Sequence, residues 1–452
     1  MKLSTLTNKL TVVLLSLFIH QTSAIWLYLD TLSSLQSVTS LIADGLMDYY
    51  TGLQYGQTIG MFSNPYYWWE AGGAWGSMID YWFYMQNDTF VNITIQGLLS
   101  QVGDNWDYVP LNQSTTEGND DQAFWGIAVM AAAERNFPNP PEGQPQWLYL
   151  AQSVFNTMAN RWDPDNCGGG LRWQIFQWNS GYDYKNSVSN GALFHIGARL
   201  ARYTGNTSYV DWCDKVYDWM YDTGLVTEGT WSFVYDGAKI ADNCSSVTKL
   251  QWTYNQGLMM AGAAYLYNFT GEEKWKVRTD NLVRSSSVFF NNSIMYEAAC
   301  QRSGNCNNDQ RSFKAYFARF LGLTAQMAPE NFEHIYNLLY QSADAASNSC
   351  SGGTDGHTCG LNWWHSGWDG YYGLGEQMAA LEVMQNVRIR DRPAPYTADS
   401  GATSQGDGAA GTYVSSTNLD PLVIKTKDTA GAAIITCVIG FSIIGTAAWI
   451  LI

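Results

Sequence analysis

The chain has 452 residues and a net charge of −16, with 20 Trp and 28 Tyr set among few charged side chains. An acidic balance of that size argues against nucleic acid or an anionic lipid surface as partner. The wealth of aromatic faces suits a neutral ligand instead, and the length allows one large core.

The first element is a leader. Residues 1–24 carry Lys2 and Lys9 and then an apolar run from Leu10 to Ile19, about ten residues and too short to span a bilayer. Thr22-Ser23-Ala24 supplies the small residues that a signal peptidase reads, so the mature, secreted chain is expected to begin near Ile25.

Residues 25–395 show no charge run or linker composition and read as one domain. Two kinds of helical segment alternate along it. One is rich in small and aromatic residues and apolar nearly all round. It recurs six times, starting near Trp68, Asp120, Asn186, Trp252, Phe313 and Trp368. The other is amphipathic and more charged, over 35–50, 90–102, 147–162, 209–221, 272–288 and 331–345. Strand-like alternation is confined to short pieces at 170–176 and 230–235. Six helical hairpins that bury their inner faces on one another can close into a ring, so an all-α fold, an (α/α)6 barrel, is expected. An open helical array is the alternative.

In a closed ring the inner helices start at one mouth. The polar and aromatic residues there are the expected substrate-binding set: Trp68 and Trp69 beside Tyr66 and Tyr67, Trp125, Lys185, Asn186, Asn190, Trp252, Tyr254, Asn255, Trp368 and Asp369, with His365 nearby. Aromatic planes next to amides and carboxylates suit a sugar, whose C–H faces stack while its hydroxyls hydrogen-bond. Asn119-Asp120-Asp121-Gln122 is the sharpest element. Glycoside hydrolysis needs two carboxyl groups about the bond, and retaining enzymes hold them about 5 to 5.5 Å apart. Adjacent residues at a loop-to-helix junction can reach that spacing, and one member of so close a pair should stay protonated as the acid. The competing reading is that Asp simply caps the helix.

Asp163, Asp165 and Asn166 in WDPDNCGGG read as a turn, since they match no complete calcium-loop pattern. There is no C-x-x-C pair, gathered histidines, phosphate loop or nucleotide fingerprint, so neither metal nor cofactor is expected. In an oxidising compartment the short loops Cys300–Cys306 and Cys350–Cys359 are the expected disulfides, while Cys167, Cys213 and Cys244 leave one thiol over. Seven sequons, at Asn87, Asn92, Asn112, Asn206, Asn243, Asn268 and Asn291, fit a glycosylated exterior.

The last elements are a Gly/Ser/Thr-rich stretch, residues 396–428, and an apolar tail, residues 429–452. Small residues, a polar spacer and a terminal apolar tail form the signal for GPI transfer, with attachment at Ser415 or Ser416 and the tail removed. A plain tail anchor is the alternative.

The stretches YYWWEAGGAWGSMIDYW, GNDDQAFWGIAVMAAAE, YKNSVSNGALFHIGARLARYTG, WTYNQGLMMAGAAYLY and HSGWDGYYGLGEQMAALEV closely resemble glycoside hydrolase family 76, and within it a fungal branch of GPI-anchored mannan endo-1,6-α-mannosidases. The resemblance covers residues 25–390. It implies an (α/α)6 barrel and a retaining mechanism, with Asp120 as nucleophile and Asp121 as acid/base. It implies α-1,6-mannan or the GPI-anchor glycan as donor, wall β-glucan as a possible acceptor, and a role in cell wall biogenesis. It also implies a GPI-anchored place on the outer face of the plasma membrane or in the wall. Hydrolysis and transfer to a sugar acceptor are not distinguished by these residues. A surface lectin that keeps the barrel without turnover is the second reading.

Overall fold

The computed structural model describes residues 27–412 and 426–451. The leader and both proposed attachment serines lie outside these residues. Twelve helices alternate inside and outside over the first of the two segments. They are α1 (Leu32–Met47), α2 (Trp68–Met85), α3 (Val91–Ser100), α4 (Asn119–Glu134), α5 (Trp147–Asn160), α6 (Ser187–Thr204), α7 (Ser208–Asp222), α8 (Thr253–Thr270), α9 (Glu273–Ser285), α10 (Asn308–Met327), α11 (Phe332–Ser349) and α12 (Leu374–Gln385). Each even-numbered helix packs on the next, and α12 closes on α2, while the odd-numbered helices flank them outside. That closed double ring is an (α/α)6 barrel.

Composition decides which ring a helix joins. In α4 every residue except Asp120 and Asp121 is buried, as an inner helix walled on all sides requires. In α9 only Trp275, Thr279, Leu282, Val283 and Ser285 are buried, one stripe facing inward. Close approach sets one glycine. A Cβ on Gly375 would lie 2.9 Å from the Ser312 nitrogen, so only Gly lets α12 pack this tightly on α10.

Two inner helices begin away from the expected positions. Helix α10 starts five residues early because Asn307 caps it in a reciprocal box with Gln310. Helix α12 starts after Gly373, not at Trp368. Asp369 accepts the N–H groups of Leu361, Asn362 and Tyr371 at 3.3, 2.8 and 3.1 Å, and Gly370 adopts φ +89°, which fixes residues 366–373 as a loop. The strand-like stretches enter as single bridges, Gly118–Gln174 and Val226–Val234. The antiparallel pairing lies elsewhere, in β1 (Tyr184–Asn186), β2 (Gly237–Lys239) and β3 (Val247–Thr248), and in β4 (Phe290–Asn291) with β5 (Ile294–Met295).

The C-terminal halves of the inner helices enclose an ionic cluster. Asp80 accepts Arg135 and Arg319 at 3.0 Å each, Glu382 accepts Arg319 at 2.5 Å, and Glu134 accepts Arg199 at 2.6 Å. Three carboxylates face three guanidinium groups, all buried.

Residues 401–410, expected to be spacer, instead form a strap on the outside of the barrel. Ser404 Oγ accepts the Leu148 N–H at 2.9 Å, and its carbonyl accepts the Tyr203 hydroxyl at 3.0 Å. Asn156 donates to the carbonyls of Gly408 and Ala410, and Ala410 is fully buried. Disulfides join Cys167 to Cys244, Cys300 to Cys306 and Cys350 to Cys359, which leaves Cys213 as a buried free thiol. Of the sequon asparagines, Asn92, Asn112, Asn206, Asn243 and Asn268 are exposed, while Asn87 and Asn291 are half-buried. A glycan on Asn268 would displace the bond its amide makes to the Met327 carbonyl.

A separate unit carries α13 (Thr426–Leu451), whose stretch Thr429–Thr446 has a mean hydropathy of 1.8 and is long and apolar enough to cross a membrane.

Candidate active site

The N-terminal turns of α2, α4, α8 and α10 wall a cavity of about 600 Å³, completed by Gln113, Thr116, Glu117, Trp173, Gln174 and Asp236. Its sharpest feature follows from the phase of the first turn of α4. Asn119 and Gln122, three residues apart, both face the protein body. Asn119 donates to the Arg172 carbonyl at 2.9 Å and accepts Arg161 Nε at 2.8 Å. Gln122 donates to the Asp107 carbonyl and the Thr157 hydroxyl. With those two anchored, the residues between them, Asp120 and Asp121, must face the cavity.

The two carboxyl groups differ in surroundings. Asp120 Oδ2 accepts the Trp173 indole N–H at 3.0 Å, and Oδ1 has no partner. Asp121 Oδ2 accepts the Gly118 N–H at 2.6 Å, closing the helix start as a cap does. Burial raises the pKa of both. Backbone N–H groups and the indole hold Asp120 back, whereas the adjacent Asp120 charge drives Asp121 well above its ordinary value. The first proton therefore leaves Asp120, and Asp121 is the member held protonated.

More acid surrounds the pair. Glu117 is buried, lines the cavity and has no hydrogen-bond partner on either carboxyl oxygen. Burial, then the Asp121 charge, pushes it well above the carboxylate range. Asp309 Oδ1 accepts the Trp69 indole at 3.0 Å and is raised by burial. Asp236 accepts the Trp252 indole at 2.8 Å and the Tyr184 hydroxyl at 2.7 Å. Among the described residues, no Lys or Arg lines the cavity. Aromatic rings form the rest: Tyr254 stacks on Phe313 at 3.9 Å, and Trp69 lies 4.7 Å from Phe124.

Of the expected set, Trp68, Trp69, Trp252 and Tyr254 line the cavity with both aspartates, as do Tyr66 and Tyr67. The others do not. Trp125 is fully buried between the rings of Trp68 and Tyr108. Lys185 is fully buried, and its ammonium takes the carbonyls of Asp163, Asn166 and Gly169 at 3.1, 2.7 and 2.5 Å. An ammonium thus occupies the centre of the WDPDNCGGG turn. Asn190 grips both the N–H and the carbonyl of Leu171. Asn186 caps α6 by accepting the Ser189 N–H. Asn255 is buried beside the cavity wall without lining it. Trp368 and Asp369 staple the loop before α12. Lys185, Asn190, Trp368 and Asp369 are consumed by holding backbone next to an inner-helix start, whereas both amide atoms of Asn255 are buried without a hydrogen-bond partner.

Sequence reasoning missed Glu117, Trp173, Asp236 and Asp309. Only Asp309 left a signal, since Asn307 and Gln310 form a capping box around it. Trp173 and Asp236 sit in loops whose partners are distant in sequence, and Glu117 has no side-chain partner to betray it.

The model of glycosyl hydrolase family 76 matches residues 34–399. Mannan endo-1,6-alpha-mannosidase DCW1 of Saccharomyces cerevisiae is 67% identical over 95% of this chain and 96% of its own length. The crystal structure of Dfg5 from Chaetomium thermophilum in complex with glucosamine superposes with a TM-score of 0.82 at 39% identity, covering 85% of this chain and 97% of that one. An α-1,6-mannanase from Salegentibacter shares the fold, with a TM-score of 0.63 at 17% identity over 78% of this chain and 99% of its own.

Proposed function

Since the chain belongs to glycosyl hydrolase family 76, we propose that its acidic mouth cleaves α-1,6-linked mannose by a retaining route, with Asp120 as nucleophile and Asp121 as acid/base. The enzyme is a glycoside hydrolase, a mannan endo-1,6-α-mannosidase. The observation that carries the assignment of roles is the unequal environment of the two adjacent carboxyl groups: the Trp173 indole holds one oxygen of Asp120 and leaves the other free, while Asp121 closes on the Gly118 N–H.

In the first step the Asp121 proton passes to the glycosidic oxygen as the bond from anomeric carbon to that oxygen breaks. An Asp120 oxygen forms an ester bond to the anomeric carbon. The leaving sugar departs as its alcohol. In the second step Asp121, now a carboxylate, takes a proton from the incoming hydroxyl, whose oxygen bonds the anomeric carbon while the Asp120 ester breaks. Water as that hydroxyl gives hydrolysis. A sugar hydroxyl gives transfer, which the aromatic walls would favour by seating an acceptor ring.

The finer reading is that the donor is the mannose core of a GPI-anchor glycan and the acceptor is wall β-glucan. The enzyme would then cross-link anchored proteins to the wall and serve wall biogenesis. It would act at the outer face of the plasma membrane through its own GPI lipid, where tethering raises the effective concentration of membrane-bound donors. Mass spectrometry of products from a GPI-type donor with a β-glucan acceptor tests this reading. A donor–acceptor adduct supports transfer, and free mannan fragments alone leave hydrolysis. Asp120→Asn and Asp121→Asn should each lower turnover of α-1,6-mannan oligosaccharides by about 10⁴-fold. Undiminished turnover in either variant would overturn the roles, and sugar binding without turnover in wild type would make the protein a lectin.

A further inference from the structure

Trp368 and Asp369 lie outside the acidic cavity, yet they are built into something. The loop they staple presents Tyr371 and Tyr372 to solvent, 37% and 62% exposed. Trp368 Nε1 donates to the Tyr371 carbonyl at 2.5 Å, and Asp369 accepts the Tyr371 N–H at 3.1 Å. Arg311, on the first turn of α10, donates to the Tyr372 carbonyl at 3.4 Å and to Glu376 at 2.8 Å. Two large exposed rings are thus held on a backbone tied down from three sides. A groove of about 470 Å³ runs between them and the rings of Tyr49 and Tyr66. Tyr66 lines this groove and the acidic cavity alike, and its hydroxyl accepts the Leu374 N–H at 3.1 Å.

We propose that this groove is a second saccharide subsite, taking a neutral pyranose unit of the chain whose scissile bond lies in the acidic cavity. The proposal rests on the mannosidase reading for the identity of that chain. Preorganised tyrosine faces at a shared wall suit sugar C–H faces, and rings with two side-chain torsions lose little freedom on binding. Charge favours a neutral unit over an anion. Among the described residues, the one guanidinium in the groove is already paired with Glu376, and no other cation lines it.

The test uses the full-length protein and linear α-1,6-mannooligosaccharides of increasing length. In wild type, kcat/KM should rise about tenfold once the chain is long enough to leave the cavity, the equivalent of one good aromatic contact. In the Y371A/Y372A double variant that rise disappears, while the shortest cleaved substrate is processed as in wild type. A second arm needs no turnover: calorimetry on Asp120→Asn, with and without Y371A/Y372A, should show about tenfold weaker binding of the long oligosaccharide. If no oligosaccharide is cleaved by wild type, the mannosidase reading fails and calorimetry alone decides the groove. Equal length dependence and equal affinity in both forms would overturn the proposal. So would tighter binding of a phosphorylated oligosaccharide that Arg311→Gln abolishes, since the groove would then be an anion site.

Discussion

Both ends of the barrel gather carboxyl groups, and they treat them in opposite ways. At the closed end Asp80, Glu134 and Glu382 meet Arg135, Arg199 and Arg319 one for one. At the open end Asp120, Asp121, Glu117 and Asp309 line a cavity with no basic side chain among the described residues. Helix packing explains the first, because a buried charge must be paired to be tolerated. Packing cannot explain the second, which raises the free energy of the folded state. Unpaired buried acids persist where their shifted protonation does chemistry. The same residue type is thus structural at one end and reactive at the other, and the arginines mark the difference.

The largest effect that would break this contrast lies at the closed end. Arg319→Met strands Glu382 and half-strands Asp80, so it should cost about 3 to 5 kcal/mol of stability. Urea unfolding measures that loss, and kcat of the remaining folded protein should be unchanged. A matching loss of kcat would show that the two ends are not separable.

Next comes the indole that distinguishes the two aspartates. Trp173→Phe removes the N–H from Asp120 but keeps a ring in the wall. The expected result is a ten- to hundredfold lower kcat, roughly the worth of a hydrogen bond to a charged group, with the acid limb of the kcat profile moved to higher pH. An unmoved acid limb would mean that Asp120 is not the group this bond keeps ionised.

The smallest effect concerns Glu117. Its folded-state pKa is raised, so the folded protein binds its proton more tightly than the unfolded chain does. The stability this confers is fully present below the ordinary value near 4.5 and is lost as pH rises through the folded value. Glu70, raised from 4.5 to about 8 by burial, acts in the same sense across that window. Stability should therefore fall from pH 5 to pH 8. Glu117→Gln, which cannot ionise, should flatten part of that slope and gain about 1 kcal/mol at pH 8 in thermal unfolding. An unchanged slope would show that Glu117 does not titrate in the folded state.

The barrel was legible because inner helices that are apolar all round, such as α4 and α8, differ plainly in pattern from one-faced helices such as α9. The aspartate pair was legible because an acidic doublet opens a helix that is apolar nearly all round beyond its first turn, so it has few places to face. The rest of the mouth was less so. Polarity at a helix start reports that a side chain needs a partner, not which partner it has. Lys185 and Asn190 find theirs in loop carbonyls, while Asp309 finds the Trp69 indole across the cavity. Trp173 reaches Asp120 from a loop 53 positions away, a contact that no local pattern encodes.

The strap over α5 changes where the folded unit stops. Composition would end it near Pro395, and a chain cut on that basis would lose the whole strap. It would strip Ala410 and Ser404 from the barrel, free the Asn156 amide and the Leu148 N–H, and uncover apolar wall. A C-terminal boundary that preserves the folded unit therefore belongs after Thr412. A chain shortened there keeps every strap contact on α5, so any change in its behaviour arises from beyond the barrel fold.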